Sequence, residues 1–254
     1  MSLRINHNRP ADDGVRSVDG SYQRLQDAME KLSTGLRINR ASDDPAGLVI
    51  SEQLRARIAS LNQEIENTTL TTRKYHTADA TVSQLLSILH GIRYMAMAAA
   101  DDNADAAGRE AYQDAANRAI ANYNRIKEAA SFNNARLFDG GEGAVADLPP
   151  MTNIDLSSPE SAAQAIIMVD QATQQLTVVQ VDLGSTQKYE LEARRSNLEV
   201  TLENLTAAES DIRDTDYPLA VAAMIKEEIK LQAELAMLAH ANVTQRSIVS
   251  LMGG

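Results

Sequence analysis

Cysteine is absent from the chain, which excludes disulfides and thiolate-bound metal and leaves packing or assembly to supply durability. Tryptophan is absent too, phenylalanine occurs twice, and aromatic residues make up 4% of the 254 positions. A compact core of that length ordinarily uses more aromatic bulk, so the expectation is an elongated molecule with a thin core. No window approaches the run of about 20 apolar residues that spans a bilayer, which argues against membrane insertion. The opening stretch MSLRINHNRPADDG lacks the apolar centre of a secretory signal, so the expected location is the cytoplasm or a destination reached by another route. Basic clusters are missing as well. With 24 Lys and Arg against 35 Asp and Glu, the net charge is −11, and nothing gathers the cations into a surface that would neutralise phosphates, which argues against a nucleic-acid partner.

What is present is helical period. Val18, Tyr22, Leu25, Met29, Leu32 and Leu36 alternate steps of four and three, a narrow heptad seam. The period stops at Gly35, and Asp43 and Asp44 then precede Pro45, which suits the first turn of a new helix because its missing N–H costs nothing there. From about Pro45 to Ala100 the apolar face passes through Leu54, Ile58, Leu61, Ile65, Tyr75, Val82, Leu85, Leu89, Ile92 and Met95, a rod on the order of 80 Å at about 1.5 Å per residue. A second helix is expected over about Arg109 to Ala130, followed by a loop over 131–158 with a short β-hairpin around Val145 to Ile154. Ser158 before Pro159 starts a third long helix, expected to run unbroken to about Ser210 with Gly184 as a weak point inside it. Asp216 caps a last helix from about Pro218 to Leu251. The fold class is therefore all-α: an elongated antiparallel bundle of long helices, with both termini forming a paired helical segment.

The chemistry of sites finds little purchase. DDNADAAGRE places Asp101, Asn103 and Asp105 like a calcium loop, but Ala106 stands where glycine is required and Tyr112 where the bidentate acid belongs. Asp211, Asp214 and Asp216 are explained by helix capping without a metal. His7, His76, His90 and His240 are far apart and form no HExxH pattern, and no nucleophile elbow or phosphate-cradling loop occurs. No metal, cofactor or catalytic residue is expected, and the chain reads as a non-enzyme. His90 and His240 are assigned to helix packing or subunit contacts.

Two paired helices cover only part of each other's apolar stripe, so the monomer is expected to be incomplete and its terminal segments to fold on association. A body whose sides and ends differ meets its copies head to tail, which extends into helical filaments unless the rotation closes.

Four motifs then fall in order. EKLSTGLRINRASDDPAGLVISEQLRARIASLNQ resembles the N-terminal signature of bacterial flagellins, FNNARLF their turn after the second helix, VDLGSTQKYELEARRSNLEVTLENLTAAESDIRDTDY their return helix and joint, and AELAMLAHANVTQRSIVSLM their terminal helix. The resemblance covers nearly the whole chain. It implies a structural subunit that self-assembles into the flagellar filament for swimming motility, extracellular and exported by a type III route without a cleaved signal. It implies residues 1–36 and 218–254 as the helices of an inner tube, 37–44 and 211–217 as linkers, and 45–210 as an outer-tube rod. The bulky variable domains of many family members are here reduced to a loop after Phe138.

On that plan the inner tube is sealed by Val18, Tyr22, Leu25, Met29 and Leu32 packing with Val221, Ile225, Leu231, Leu235, Leu238, Ile248 and Leu251. The joints are Gly35, Asp43, Asp44 and Pro45 on one side and Asp214 and Asp216 on the other. Partners implied by the resemblance are the chain itself as a helical homopolymer, hook-junction and filament-cap proteins, and an export chaperone. DDPAG is closer to hook-filament junction proteins, which share the plan, whereas the C-terminal motifs follow flagellin. Heptads alone also fit a soluble coiled-coil scaffold. The segment that a Toll-like immune receptor reads in this family departs from the usual form: HGIRYMAMA keeps Arg93 but carries Gly91, Tyr94 and Met95 in place of Arg, Glu and Leu, and Ala115 stands where Glu is common. Weakened receptor activation is the expectation.

Overall fold

A computed structural model describes residues 8–141 and 143–252, and of the last helix it describes the side chains through Thr244 and that of Ser247. Six α-helices carry nearly all of the described residues: α1 (Arg9–Thr34), α2 (Pro45–Ala99), α3 (Ala106–Ala129), α4 (Pro159–Ser185), α5 (Glu192–Arg213) and α6 (Tyr217–Met252). A π-helical turn, Thr186–Leu191, joins α4 to α5, and two-residue strands β1 (Ser131–Phe132) and β2 (Ala135–Arg136) pair antiparallel. None of the described helices is long and apolar enough to cross a membrane. Two compact units divide the residues: Met1–Ser60 with Leu202–Gly254, and Leu61–Thr201.

In the second unit, α2 buries Ala78, Val82, Leu85, Leu89, Ile92, Ala96 and Ala99, alternate steps of four and three that keep one stripe inward along a supercoiled helix. Ala116, Ile120 and Tyr123 of α3 and Ala162, Ala165, Val169, Leu176 and Leu183 of α4 complete the same core. The thin, aromatic-poor interior follows from Ala at so many seam positions.

The segment between α3 and α4 differs from the expected loop. Leu137, Phe138, Leu148, Ile154 and Leu156 are all buried in the core, and two side-chain amides of α3 hold the strand-like run beside them. Gln113 donates to the Ile154 carbonyl at 2.8 Å and accepts from the Leu156 amide at 2.6 Å. Asn124 donates to the Met151 carbonyl and accepts from its amide, both at 2.9 Å. The hairpin is not at Val145 to Ile154 but at 131–136, because Asn133 and Asn134 take φ of 49° and 67°; asparagine tolerates the left-handed region, and two such residues make the turn that matches strand twist. Asp139 and Asp147 form an isolated antiparallel bridge.

The third long helix is also not unbroken. Its buried positions Ala162, Val169, Leu176 and Leu183 recur every seven residues, but Leu191 follows after eight. A one-residue insertion in a heptad seam must be absorbed by local underwinding or by a wide turn, and the π turn, with i to i+5 bonding, takes up the extra residue. The break therefore lies just past Gly184.

Candidate functional site: a paired joint and an open helix pair

Within the first unit, α1 packs mainly against α6. Asn8 opens α1 by accepting from the Ala11 amide, with a proline in the first turn. The face of α1 that loses solvent runs Ala11, Gly14, Val18, Ser21, Leu25, Ala28 and Leu32, small residues alternating with branched ones. Among the described side chains of α6, the half-buried positions are Ala220, Met224, Glu227, Leu231, Glu234, Leu238 and Ala241. The fit is close: a Cβ added at Gly14 would lie 3.2 Å from Leu238 Cδ1. Ser21 is fully buried, and Arg24 donates both to its hydroxyl at 2.8 Å and to Glu227 at 3.0 Å. The Arg24 guanidinium holds the Glu227 carboxyl below the ordinary carboxylate range.

Val18, Leu25, Leu32, Leu231 and Leu238 lie in this seam. Tyr22, Met29, Val221, Ile225 and Leu235 are exposed on the single chain. Gly14, Ser21 and Ala28 let α6 approach closely on their side of α1, and the larger residues flank the contact. The side chains of Ile248 and Leu251 lie outside the described residues, as does His7. Val15, Tyr22 and Met29, spaced by seven, form an apolar stripe along α1, and α6 leaves Leu219, Ile229, Met237 and Val243 exposed beside the three already named.

The two linkers meet. Gly35 ends α1 at φ 74°, a left-handed cap whose N–H returns to the Lys31 carbonyl. Leu36 then bridges Asp214 antiparallel: the Arg37 amide donates to the Arg213 carbonyl at 2.7 Å, and the Thr215 amide donates to the Gly35 carbonyl at 2.9 Å. The Arg37 guanidinium caps the Ile212 carbonyl, and the Tyr217 hydroxyl donates to the Leu32 carbonyl at 2.7 Å. Asp43 accepts from the amides of Asn39 and Arg40 at 3.0 and 2.8 Å, and the Arg40 bond, then the Asn39 bond, hold its carboxyl below the usual range. Asp44 caps α2 through the Gly47 amide at 2.9 Å, with Pro45 in the first turn, while Asp216 caps α6 through the Leu219 amide at 3.1 Å. Asp214 accepts from the Ser210 hydroxyl at 2.6 Å. Ile38, buried, anchors the turn, and a Cβ at Gly47 would sit 2.8 Å from its Cδ1. Glu52 accepts from Arg213 at 2.7 Å, the main cause of its lowered pKa, and from Arg55 at 3.1 Å.

The receptor-segment residues lie in the other unit. Arg93 pairs with Asp170 at 2.7 Å, Tyr94 is 71% exposed, Met95 is half-buried against the core, Gly91 faces open space, and Ala115 sits beside fully buried Ala116. His90 and His240 are exposed rather than packed between helices of the chain. Asp101 accepts from the Asn103 amide and Asp105 caps α3 through the Gly108 amide. Among the described residues no three His, Asp or Glu side chains are grouped to hold a metal ion.

Two family models match: the bacterial flagellin N-terminal helical region over residues 5–142 and the bacterial flagellin C-terminal helical region over residues 166–252. A flagellin of Halalkalibacterium halodurans is 33% identical over 98% of this chain and 99% of its own length. A flagellar filament 33 kDa core protein of Treponema phagedenis is 30% identical over 98% and 99%. Among solved structures, a Bacillus cereus flagellin aligns with a TM-score of 0.42 at 19% identity, covering 58% of this chain and 93% of that one.

Proposed function

The chain belongs to the bacterial flagellin family, and we propose that it works as a thin flagellar filament in which the paired terminal helices form an inner tube and the longer helices an outer one. It is a structural subunit that assembles with copies of itself. Residues 1–36 and 218–254 supply the inner tube, 45–210 the outer, and 37–44 with 211–217 the spokes between them. The observation that carries this reading is the α1 and α6 pair, whose seam is filled on one side and whose Val15, Tyr22 and Met29 stripe remains wet on the other. Identical neighbours around a common axis cover that stripe, and burial of such area is what drives the polymer.

The role is mechanical, turning torque at the base into thrust, and involves no catalysis. The filament lies outside the cell and its subunits leave through the flagellar type III channel. A chaperone shields the C-terminal helix before export, and hook-junction and cap proteins meet the filament at its ends. Small shifts between strand packings are absorbed at the paired joint, where short backbone bonds rather than a large core hold the two linkers.

Sedimentation and electron microscopy of purified, repolymerised chain test the reading. A filament subunit pellets as polymer and returns to monomer on heating or in acid. Small discrete oligomers would instead identify a soluble coiled-coil scaffold.

A further inference from the structure

The π turn leaves a mark on the surface beside it. Between α2 and the turn lies a cleft of about 410 Å³, with Arg73 and His76 on one wall and Gln187, Lys188 and Arg195 on the other. Gly184 faces open space at its edge, since a Cβ there would meet nothing within 4 Å. The cleft lies beside the π turn that takes up the extra residue between Leu183 and Leu191.

Its chemistry runs against that of the molecule. The chain carries a net charge of −11, yet this cleft gathers two arginines, a lysine and a histidine around one acid, Glu192. Among the described residues, Arg73 and Lys188 make no ion pair, and Arg195 reaches Glu199 only at 3.6 Å. Gln187 Nε2 is buried without an acceptor. A buried amide donor left unpaired costs free energy, and once the Gln187 side chain turns toward the cleft an oxyanion there accepts its bond while neutralising the surrounding cations.

We propose that the cleft binds a small tetrahedral oxyanion, phosphate or sulfate, held by Arg73, Lys188 and Arg195 with the Gln187 amide as the oriented donor. The site lies within one chain and one unit, so it stands or falls independently of assembly. The ligand satisfies an orphan donor and joins α2 to the π turn, tightening the return helix where its seam is interrupted.

The test titrates isotope-labelled full-length monomer, in phosphate-free buffer at constant ionic strength, with inorganic phosphate and separately with sulfate and chloride, following the Gln187 side-chain amide by NMR. Saturable shifts with phosphate or sulfate but not with chloride are expected. Arg73→Gln and Lys188→Gln should each weaken binding about tenfold, the loss of one charge-assisted bond. Gln187→Leu should weaken it and remove the amide signal while leaving backbone shifts in Arg73 and Lys188 to report residual binding. Deleting Ser185 restores the seven-residue spacing, and this variant should be helical throughout and bind no phosphate. Equal response to chloride, or undiminished phosphate binding by Arg73→Gln and Lys188→Gln together, overturns the site.

Discussion

The Thr215 amide donates to the carbonyl of Gly35 at 2.9 Å, so the residue that ends the first helix is tied to the linker that precedes the last. Gly35 holds φ 74° to make that turn. Any residue with a Cβ is strained there by about 1 to 2 kcal/mol, and Gly35→Ala should lower the unfolding free energy of the monomer by that amount in a denaturant titration. Gly47→Ala should cost more, because its Cβ collides with both the Asp44 cap and the buried Ile38 side chain. Equal stability of Gly47→Ala and the parent would show that this corner relaxes freely.

Acid should open the same joint and the helix pair beside it. Asp43, Glu52 and Glu227 all have pKa values lowered by bonds that favour the charged form. A carboxyl with a depressed native pKa contributes stability at pH values above its unfolded value and loses it as pH falls through the native one. The three contributions are therefore complete near neutrality and disappear progressively below about pH 4.5. Helicity followed by circular dichroism against pH should fall across that range, and Glu227→Gln should shift less of the transition into it. A loss of structure centred near pH 6 would point to other groups.

Much of this architecture is readable from residue spacing, and the failures are physical. The seam of α2 repeats Ala, Val, Leu and Ile so regularly that its inward face is legible from Ala78 to Ala99. The joint is legible because glycine, two aspartates and a proline each have one economical use there. On α1, however, the alternation Val18, Tyr22, Leu25, Met29 and Leu32 fits a seam as well as the observed one does. Choosing between them requires knowing that α6 packs on Gly14, Ser21 and Ala28, a fact held 200 residues away. The buried loop residues Leu137, Phe138, Leu148, Ile154 and Leu156 have no period because they sit on irregular backbone. The signal that was available is the pair Gln113 and Asn124, long amides on a helix face beside a proline-containing run.

Those amides give a stability prediction. Asn124 makes two 2.9 Å bonds to Met151, and Asn124→Ala leaves a partly buried N–H and C=O without their partner at a cost of about 1 to 3 kcal/mol. Protease cleavage within 143–152 should accelerate in the variant, while Gln113→Ala should act around Ile154 to Leu156. Unchanged cleavage in both would mean that core burial alone holds the segment.

Removing residues 1–30 or 222–254 takes away one partner of the α1 and α6 seam. The remaining helix then exposes its small-residue face as well as its outer stripe, and an isolated amphipathic helix of that length is marginal in water. Neither truncation should polymerise, while the core of residues 61–201 keeps its cooperative unfolding transition because none of its buried residues is removed. Normal filaments from either truncation would contradict the tube assignment.

Immune-receptor activation should be weak, and Gly91, Tyr94 and Met95 are the positions expected to matter. The guanidinium of Arg93 is engaged by Asp170 at 2.7 Å, while Gly91 offers no side chain and Tyr94 presents an exposed ring where the family's receptor segment usually carries an acid. Each missing charge-assisted contact is worth about 1.5 to 3 kcal/mol, so two together lower affinity by roughly two to four orders of magnitude. Gly91→Arg meets open space and Tyr94→Glu replaces an exposed residue, so neither disturbs the core. In a cell reporter the parent monomer should respond far below an enteric flagellin, and Gly91→Arg with Tyr94→Glu and Met95→Leu should recover most of the response. A parent response at full strength would mean that the receptor reads other residues of this surface.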